Sequence, residues 1–245
     1  MRKVQVVILA LLSVALLASH AFAEPFLPQW DWIKEPLLGK IKAMTYKGDN
    51  IVRVTHFSEQ GRVVRDDVLD EKGVLQYRAE PSYDKDGVME TVSIFDGKGK
   101  RLYVETAYIK NGKIVFLERS GEWKKARFVY DDKGRLTQII TVRQSRDDGE
   151  KWVYAYDDKG RMIEEYRVNM SGVKHSRRTM TYNEKDLVKD KDLYTLDDRV
   201  YENRHYTYEY DKLGNWIKKK LMVVGHLDNE GKAIDKYSSR EIEYY

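Results

Sequence analysis

The chain has 245 residues and not one cysteine. That absence alone excludes disulfides, thiol nucleophiles and thiolate metal sites. It also excludes a lipoprotein, which needs a cysteine at its processing site. Proline is nearly as scarce, with four in all and three of them at or before Pro36. The five histidines are scattered, without a His-Glu-x-x-His pair or other close ligand spacing. No Gly-x-Ser-x-Gly elbow offers a nucleophilic serine. The formal net charge is only +4, with bases and acids interspersed. Such a balance is no footprint for nucleic acid. The expectation is a non-enzymatic protein with no metal, no cofactor and no nucleic-acid partner.

The one long apolar run lies at the N-terminus. Arg2 and Lys3 precede the apolar stretch Val4 to Leu17, and Ala21-Phe22-Ala23 supplies a small-x-small cleavage pattern. The stretch is shorter than the roughly 20 residues of a membrane-spanning helix. Residues 1–23 therefore read as a signal peptide for the general secretory route. The mature chain is expected in the periplasm or outside the cell, with no transmembrane span. Residues 24–46 hold three of the prolines together with Trp30 and Trp32, and read as a terminal cap or arm.

Residues 47–245 read as one repeat domain. "VYDDKGRLTQ" begins at Val129 and "AYDDKGRMIE" at Ala155. Looser copies are anchored at Phe57, Leu69, Tyr83, Phe95, Tyr108, Tyr182, Tyr210 and Leu227. Glycine stands four residues after the anchor in nine of the ten copies, and Asp186 takes that place in the tenth. A strand-turn-strand unit accounts for each letter. Tyr closes a strand, Asp accepts from the turn's N–H groups, Gly takes the left-handed conformation, and Arg opens the next strand. The structural-turn residues so assigned are Tyr130, Asp131, Gly134, Tyr156, Asp157, Gly160, Tyr210, Asp211 and Gly214. A second kind of turn is read at Ser171-Gly172 and Asp197-Asp198, among others, giving about sixteen strands in all.

Alternation along the strands sorts the faces. Phe128 and Tyr130, then Trp152, Tyr154 and Tyr156, then Met180 and Tyr182, then Tyr206, Tyr208 and Tyr210 fall on one side, the natural inner one. The motif tyrosines are expected to form a ladder there, ring beside ring. The fold class predicted is all-β: an elongated, coiled antiparallel β-meander built from repeated hairpins.

The Tyr-Asp-x-x-Gly-Arg motif at Tyr130 to Leu136 and Tyr156 to Met162 resembles the YD repeat of bacterial Rhs proteins, wall-associated proteins and teneurins. At Tyr210 to Trp216 Asn replaces Arg. The resemblance implies hairpins wound into a spiral or shell and a part in surface recognition. It carries no toxin role here, because the repeats run nearly to the last residue.

The aromatics Trp152, Tyr154, Tyr206 and Tyr208 are the candidate ligand-binding residues, with core packing as their plainer role. The leading functional reading is an exported scaffold that binds an envelope polysaccharide or protein. A carbohydrate-active hydrolase with carboxylates in a groove is the alternative. An outer-membrane barrel ranks below both, since Lys189-Asp190-Lys191-Asp192 and Lys218-Lys219-Lys220 put charge on both faces of their strands.

Overall fold

A computed structural model describes residues 37–48, 51–110, 113–120, 125–142, 149–227 and 233–245. The predicted signal peptide, most of the predicted cap with Trp30 and Trp32, and Gly112 and Gly231 lie outside the described residues. Sixteen strands follow one another in the chain. They are β1 (Ile41–Gly48), β2 (Ile51–Phe57), β3 (Val63–Asp70), β4 (Leu75–Tyr83), β5 (Met89–Asp96), β6 (Arg101–Lys110), β7 (Lys113–Arg119) and β8 (Lys125–Tyr130). They continue as β9 (Leu136–Val142), β10 (Glu150–Tyr156), β11 (Met162–Asn169), β12 (Lys174–Tyr182), β13 (Val188–Tyr194), β14 (Val200–Tyr210), β15 (Trp216–Leu227) and β16 (Ala233–Tyr244).

The hydrogen-bonded order runs from β1 to β16 in sequence and returns to β1, a closed antiparallel barrel. This corrects the elongated, coiled meander. The hairpins are as read, but the first strand and the last pair with each other. The Tyr245 N–H donates to the Lys40 carbonyl at 3.0 Å, and Lys42 and Lys47 bind Glu243 and Glu241. Closure removes the two bare edges that an open sheet would leave. β1 begins at Ile41 and pairs with β2 from Ala43 onward.

The chain divides into two compact units. One comprises the described residues up to Ala107 together with Arg240–Tyr245, and the other is Tyr108–Ser239. In the first, Thr55, Phe57, Val63, Val68, Ala79, Val92 and Ile94 are buried. Asp66 shares their face at 1% exposure, held by Arg53 at 2.7 Å and the Thr55 hydroxyl at 2.6 Å. Its neighbour Asp67 points to the opposite face, between Arg65 and Arg78. In the second unit Leu117, Ala126, Phe128, Ile139, Trp152, Met180, Trp216 and Val223 form the apolar core. Cross-strand partners such as Phe128 and Ile139, then Ile139 and Trp152, keep these side chains on one face.

The repeated turn has one geometry. The Asp157 N–H donates to the Arg161 carbonyl at 2.9 Å and the Gly160 N–H to the Asp157 carbonyl at 3.0 Å. The Asp157 carboxylate accepts from the Arg161 N–H at 2.8 Å and from Nε at 2.7 Å. Asp131 and Arg135 repeat the arrangement, and Asp211 accepts from the N–H groups of Leu213 and Asn215 at 2.9 Å. Gly134, Gly160 and Gly214 have φ of 80°, 81° and 93°, and Asp186 has 59°. Burial would raise the carboxyl pKa of Asp157, but the Arg161 hydrogen bonds outweigh it and hold it below the ordinary value. The reversals at Ser171-Gly172 and Asp197-Asp198, read as a second kind, have this same geometry. Asn169 to Val173 and Thr195 to Arg199 make the same pair of backbone hydrogen bonds, with Gly172 and Asp198 in the left-handed position. A register shift follows each turn, leaving Thr137 and Ile163 as extra residues on the outgoing strands.

Candidate functional site

Two sets of side chains rise from this frame. The first is the row at the turn edge. The Tyr156 hydroxyl donates to the Leu136 carbonyl at 2.6 Å, Tyr182 to Met162 at 2.5 Å and Tyr83 to Val63 at 2.7 Å, each 20 residues back. Tyr130 reaches Ile114 at 2.8 Å. These rings do not stand ring beside ring, as the sequence led one to expect. A cation from the preceding repeat covers each of them: Arg62 on Tyr83, Lys113 on Tyr130, Arg135 on Tyr156 and Arg161 on Tyr182, at 5.6, 5.2, 5.2 and 4.9 Å. In β14 the roles shift by one tooth. Tyr208, not Tyr210, donates to the backbone, to Val188 at 2.7 Å. Tyr210 lies under Lys185 Nζ at 3.6 Å and takes a contact from Asn183 at 3.4 Å. Arginine in the motif therefore serves two neighbours, its own Asp and the next Tyr.

The second set lies on the covered face of β10 to β15. Trp152 opposes Arg167, whose guanidinium carbon sits 5.5 Å from the indole centroid. Tyr154 opposes Glu165, and Glu165 opposes Arg178, which binds it at 2.7 Å. Burial pushes the Tyr154 phenol pKa well up, with Glu165 adding to it. Lys191, at 4% exposure, opposes Arg204, and Arg204 is paired with Glu202 along its own strand. Lys191 and Lys219 both face the Tyr206 ring, at 6.0 and 5.6 Å. Lys219 also lies 5.2 Å from the Trp216 ring, which tilts against Tyr208 at 6.1 Å.

The four aromatics singled out in the sequence thus share the covered face in two groups. Trp152 and Tyr154 are held among Arg167, Glu165 and Arg178; Tyr206 and Tyr208 stand among lysines. Trp152 is 5% exposed, and neither its indole Nε1 nor the Arg167 Nε has a hydrogen-bond partner among the described residues. Sequence reasoning missed Lys191, Arg204 and Lys219. It read the charges of β13 and β15 only as obstacles to a barrel. Their alternation, read as it was for the aromatics, would have put them on the tyrosine side.

Among the described residues of this unit the two buried carboxylates, Glu165 and Glu202, are three strand spacings apart by register. That is about 14 Å, wider than the roughly 5–9.5 Å at which paired glycosidase acids work. Among the described residues no group of three His, Asp or Glu is placed to hold a metal ion.

No family model matches the chain, and no curated protein matches it. Among solved structures, a porin-like protein from Bacteroides uniformis aligns over 84% of this chain and 99% of its own. The TM-score is 0.58 and the identity 12%. This chain shares the fold of that porin-like protein. A porin-like protein from Bacteroides vulgatus gives a TM-score of 0.46 at 15% identity, over 84% and 98% of the two chains. The Photorhabdus luminescens Tc holotoxin pore gives 0.33 at 10% identity, over 76% of this chain and 12% of that one. Only the first is close enough to argue from, and at 12% identity the likeness is one of fold. The barrel that the sequence reading ranked lowest is the architecture found.

The opposite face of the same strands is also charged. Glu164 binds Arg177 at 2.5 Å, Asp190 binds His205 at 2.7 Å, Glu209 binds Lys218 at 2.9 Å and Asp235 binds Lys220 at 2.8 Å. Tyr237 stands beside Lys220 at 65% exposure.

Proposed function

We propose that this chain is an exported, non-enzymatic β-barrel that acts by binding an envelope component, polysaccharide or protein, with the exposed face of its sheet in water. One observation carries the reading. The exposed face bears cross-strand ion pairs inside the strands, such as Glu164–Arg177 and Asp235–Lys220. Each Lys or Arg facing lipid at the bilayer midplane costs about 2–4 kcal/mol. Strand length divides the ring: β9, β10 and β13 have seven residues each, against the roughly 9–11 of a membrane-crossing strand, while β14, β15 and β16 have 11, 12 and 12. Export is supported by the N-terminal sequence, and the repeated hairpin supports kinship with YD-repeat proteins.

A second reading has its own support. A closed antiparallel barrel with an even number of strands, shared with a porin-like protein, is the architecture of an outer-membrane barrel. The two readings separate on fractionation of expressing cells and pull-down from envelope extract. The first expects protein released without detergent that captures a saturable envelope component. Protein extracted only by detergent, and shielded from protease in intact membranes, would establish the second. Soluble protein that captures nothing sinks the first.

A further inference from the structure

The exposed face of β14 to β16 carries an open depression of about 410 Å³, inside the roughly 300–1,000 Å³ of ligand sites. Thr207, Glu209, Lys218, Lys220 and Tyr237 line it from that face, and Tyr208 and Lys219 alternate with them along the strands. Register brings the group together. Thr207 opposes Lys220, which opposes Tyr237, and Glu209 opposes Lys218. Charge is matched one to one, Lys218 to Glu209 at 2.9 Å and Lys220 to Asp235 at 2.8 Å. Matched pairs exert no net pull on an ion, but they set acceptors beside donors. The adjacent hydroxyls of a sugar, each both donor and acceptor, meet that arrangement.

Tyr237 supplies the apolar half of the chemistry. Its ring is 65% exposed, with Lys220 Nζ 5.6 Å from the centroid. Met222 stands diagonally across from Tyr237, Val224 follows it on the same face of β15, and both are exposed. An exposed apolar strip rimmed by ion pairs is the mark of an interaction site. An extended peptide is the poorer occupant. It would join a sheet through a free backbone edge, and β15 is paired on both sides, to β14 and to β16.

We infer that this depression binds a neutral saccharide. The Tyr237 ring meets a C–H face of the sugar, Glu209 accepts from its hydroxyls, Lys218 donates to them, and the Thr207 hydroxyl does both. The inference rests on the binding function proposed above and narrows its ligand to one chemistry.

The test titrates the full chain by calorimetry with maltotriose, cellotriose and tri-N-acetylchitotriose, and with trigalacturonate as the acidic comparison. The expected result is saturable binding of a neutral trisaccharide, tighter than that of trigalacturonate. Tyr237→Ala should weaken it about tenfold, while Tyr237→Phe, which keeps the ring, should stay within about twofold. Glu209→Gln removes a charge-assisted acceptor and should also cost about tenfold, which tests the site a second time should Tyr237→Ala fold poorly. Tyr108→Ala, at an exposed ring outside the depression, should leave binding unchanged. Equal losses in Tyr108→Ala and Tyr237→Ala would overturn the inference in favour of non-specific contact with surface rings. Tighter binding of trigalacturonate overturns the neutral ligand while leaving the envelope-binding function standing. No response to any neutral trisaccharide, with a positive envelope pull-down, also overturns this inference alone; a blank pull-down removes both.

Discussion

The hydroxyl of Tyr156 donates to the backbone carbonyl of Leu136 at 2.6 Å, across one full hairpin. The half-buried ring therefore ties the closing strand of one repeat to the opening strand of the repeat before it. Tyr156→Phe should cost about 1 kcal/mol, the net worth of one hydrogen bond. Tyr156→Ala loses the ring as well and should cost about 3 kcal/mol. Thr181→Ala, at an exposed hydroxyl that donates to Asp190, should cost less than about 0.5 kcal/mol. Urea unfolding of the three variants checks the order, and equal small losses at all three would show the ring to be dispensable.

The glycines of the turns divide by what surrounds them. At Gly160 a Cβ would meet nothing within 4 Å, so Gly160→Ala pays only for its φ of 81°, about 1–2 kcal/mol. At Gly97 a Cβ would lie 2.0 Å from the Leu75 carbonyl oxygen, which is backbone and cannot swing aside. Gly97→Ala should therefore be the worse of the two, although its φ is not in the left-handed region. Asp198, at φ 60°, is the reverse case, and Asp198→Gly should be neutral or stabilising by up to about 1 kcal/mol. Thermal melts should place Asp198→Gly highest, Gly160→Ala next and Gly97→Ala lowest.

Burial pushes the phenols of Tyr83, Tyr130 and Tyr156 up to about 12 from an ordinary value of 10.0. Their neutral forms are favoured in the folded state. Below pH 10 both states keep the proton, and pH has no effect through these groups. Between about 10 and 12 the unfolded chain releases protons that the folded chain keeps, so stability falls as pH rises through that window. Ultraviolet titration of tyrosinate should show a late class of tyrosines that Tyr156→Phe diminishes. A single transition near pH 10 in the folded protein would contradict the burial of these rings.

Ion pairs on the two faces should differ in weight. Arg53→Met strands Asp66, which is 1% exposed, and should cost about 3–5 kcal/mol. Lys218→Met breaks an exposed pair with Glu209 and should cost less than about 1 kcal/mol. Urea midpoints read in low and in high salt complete the check, since only the exposed pair is screened.

What the sequence made legible is local. The Tyr130-to-Arg135 and Tyr156-to-Arg161 turns are written in residues no more than five apart, and the face of Trp152 and Phe128 follows from simple alternation. Closure is a different kind of fact. It depends on whether β1 meets β16, a pairing across nearly the whole chain that no hairpin motif encodes. The same hairpins suit an open spiral or a closed ring. The charges of β13 misled for a separate reason. Asp190 and Lys191 argue against a lipid-facing strand, and that argument was carried over to barrels as such. Lys191 faces the covered side beside Tyr206, while Asp190 binds His205 on the other. A barrel in water tolerates both.

The bond between Tyr245 and Lys40 makes the strand order a ring, and a ring has no first member. Which hairpin connection is left open is then a matter of synthesis and not of architecture. Joining Tyr245 to Lys40 through a short linker, and reopening the backbone at the exposed Asp158-Lys159 turn, would preserve each strand pair with the same neighbours. A circular permutant of this kind turns the longest-range contact of the present chain into a local one. The pairing of β1 with β16 would then form early, and the pairing of β10 with β11 would become the slow closing step.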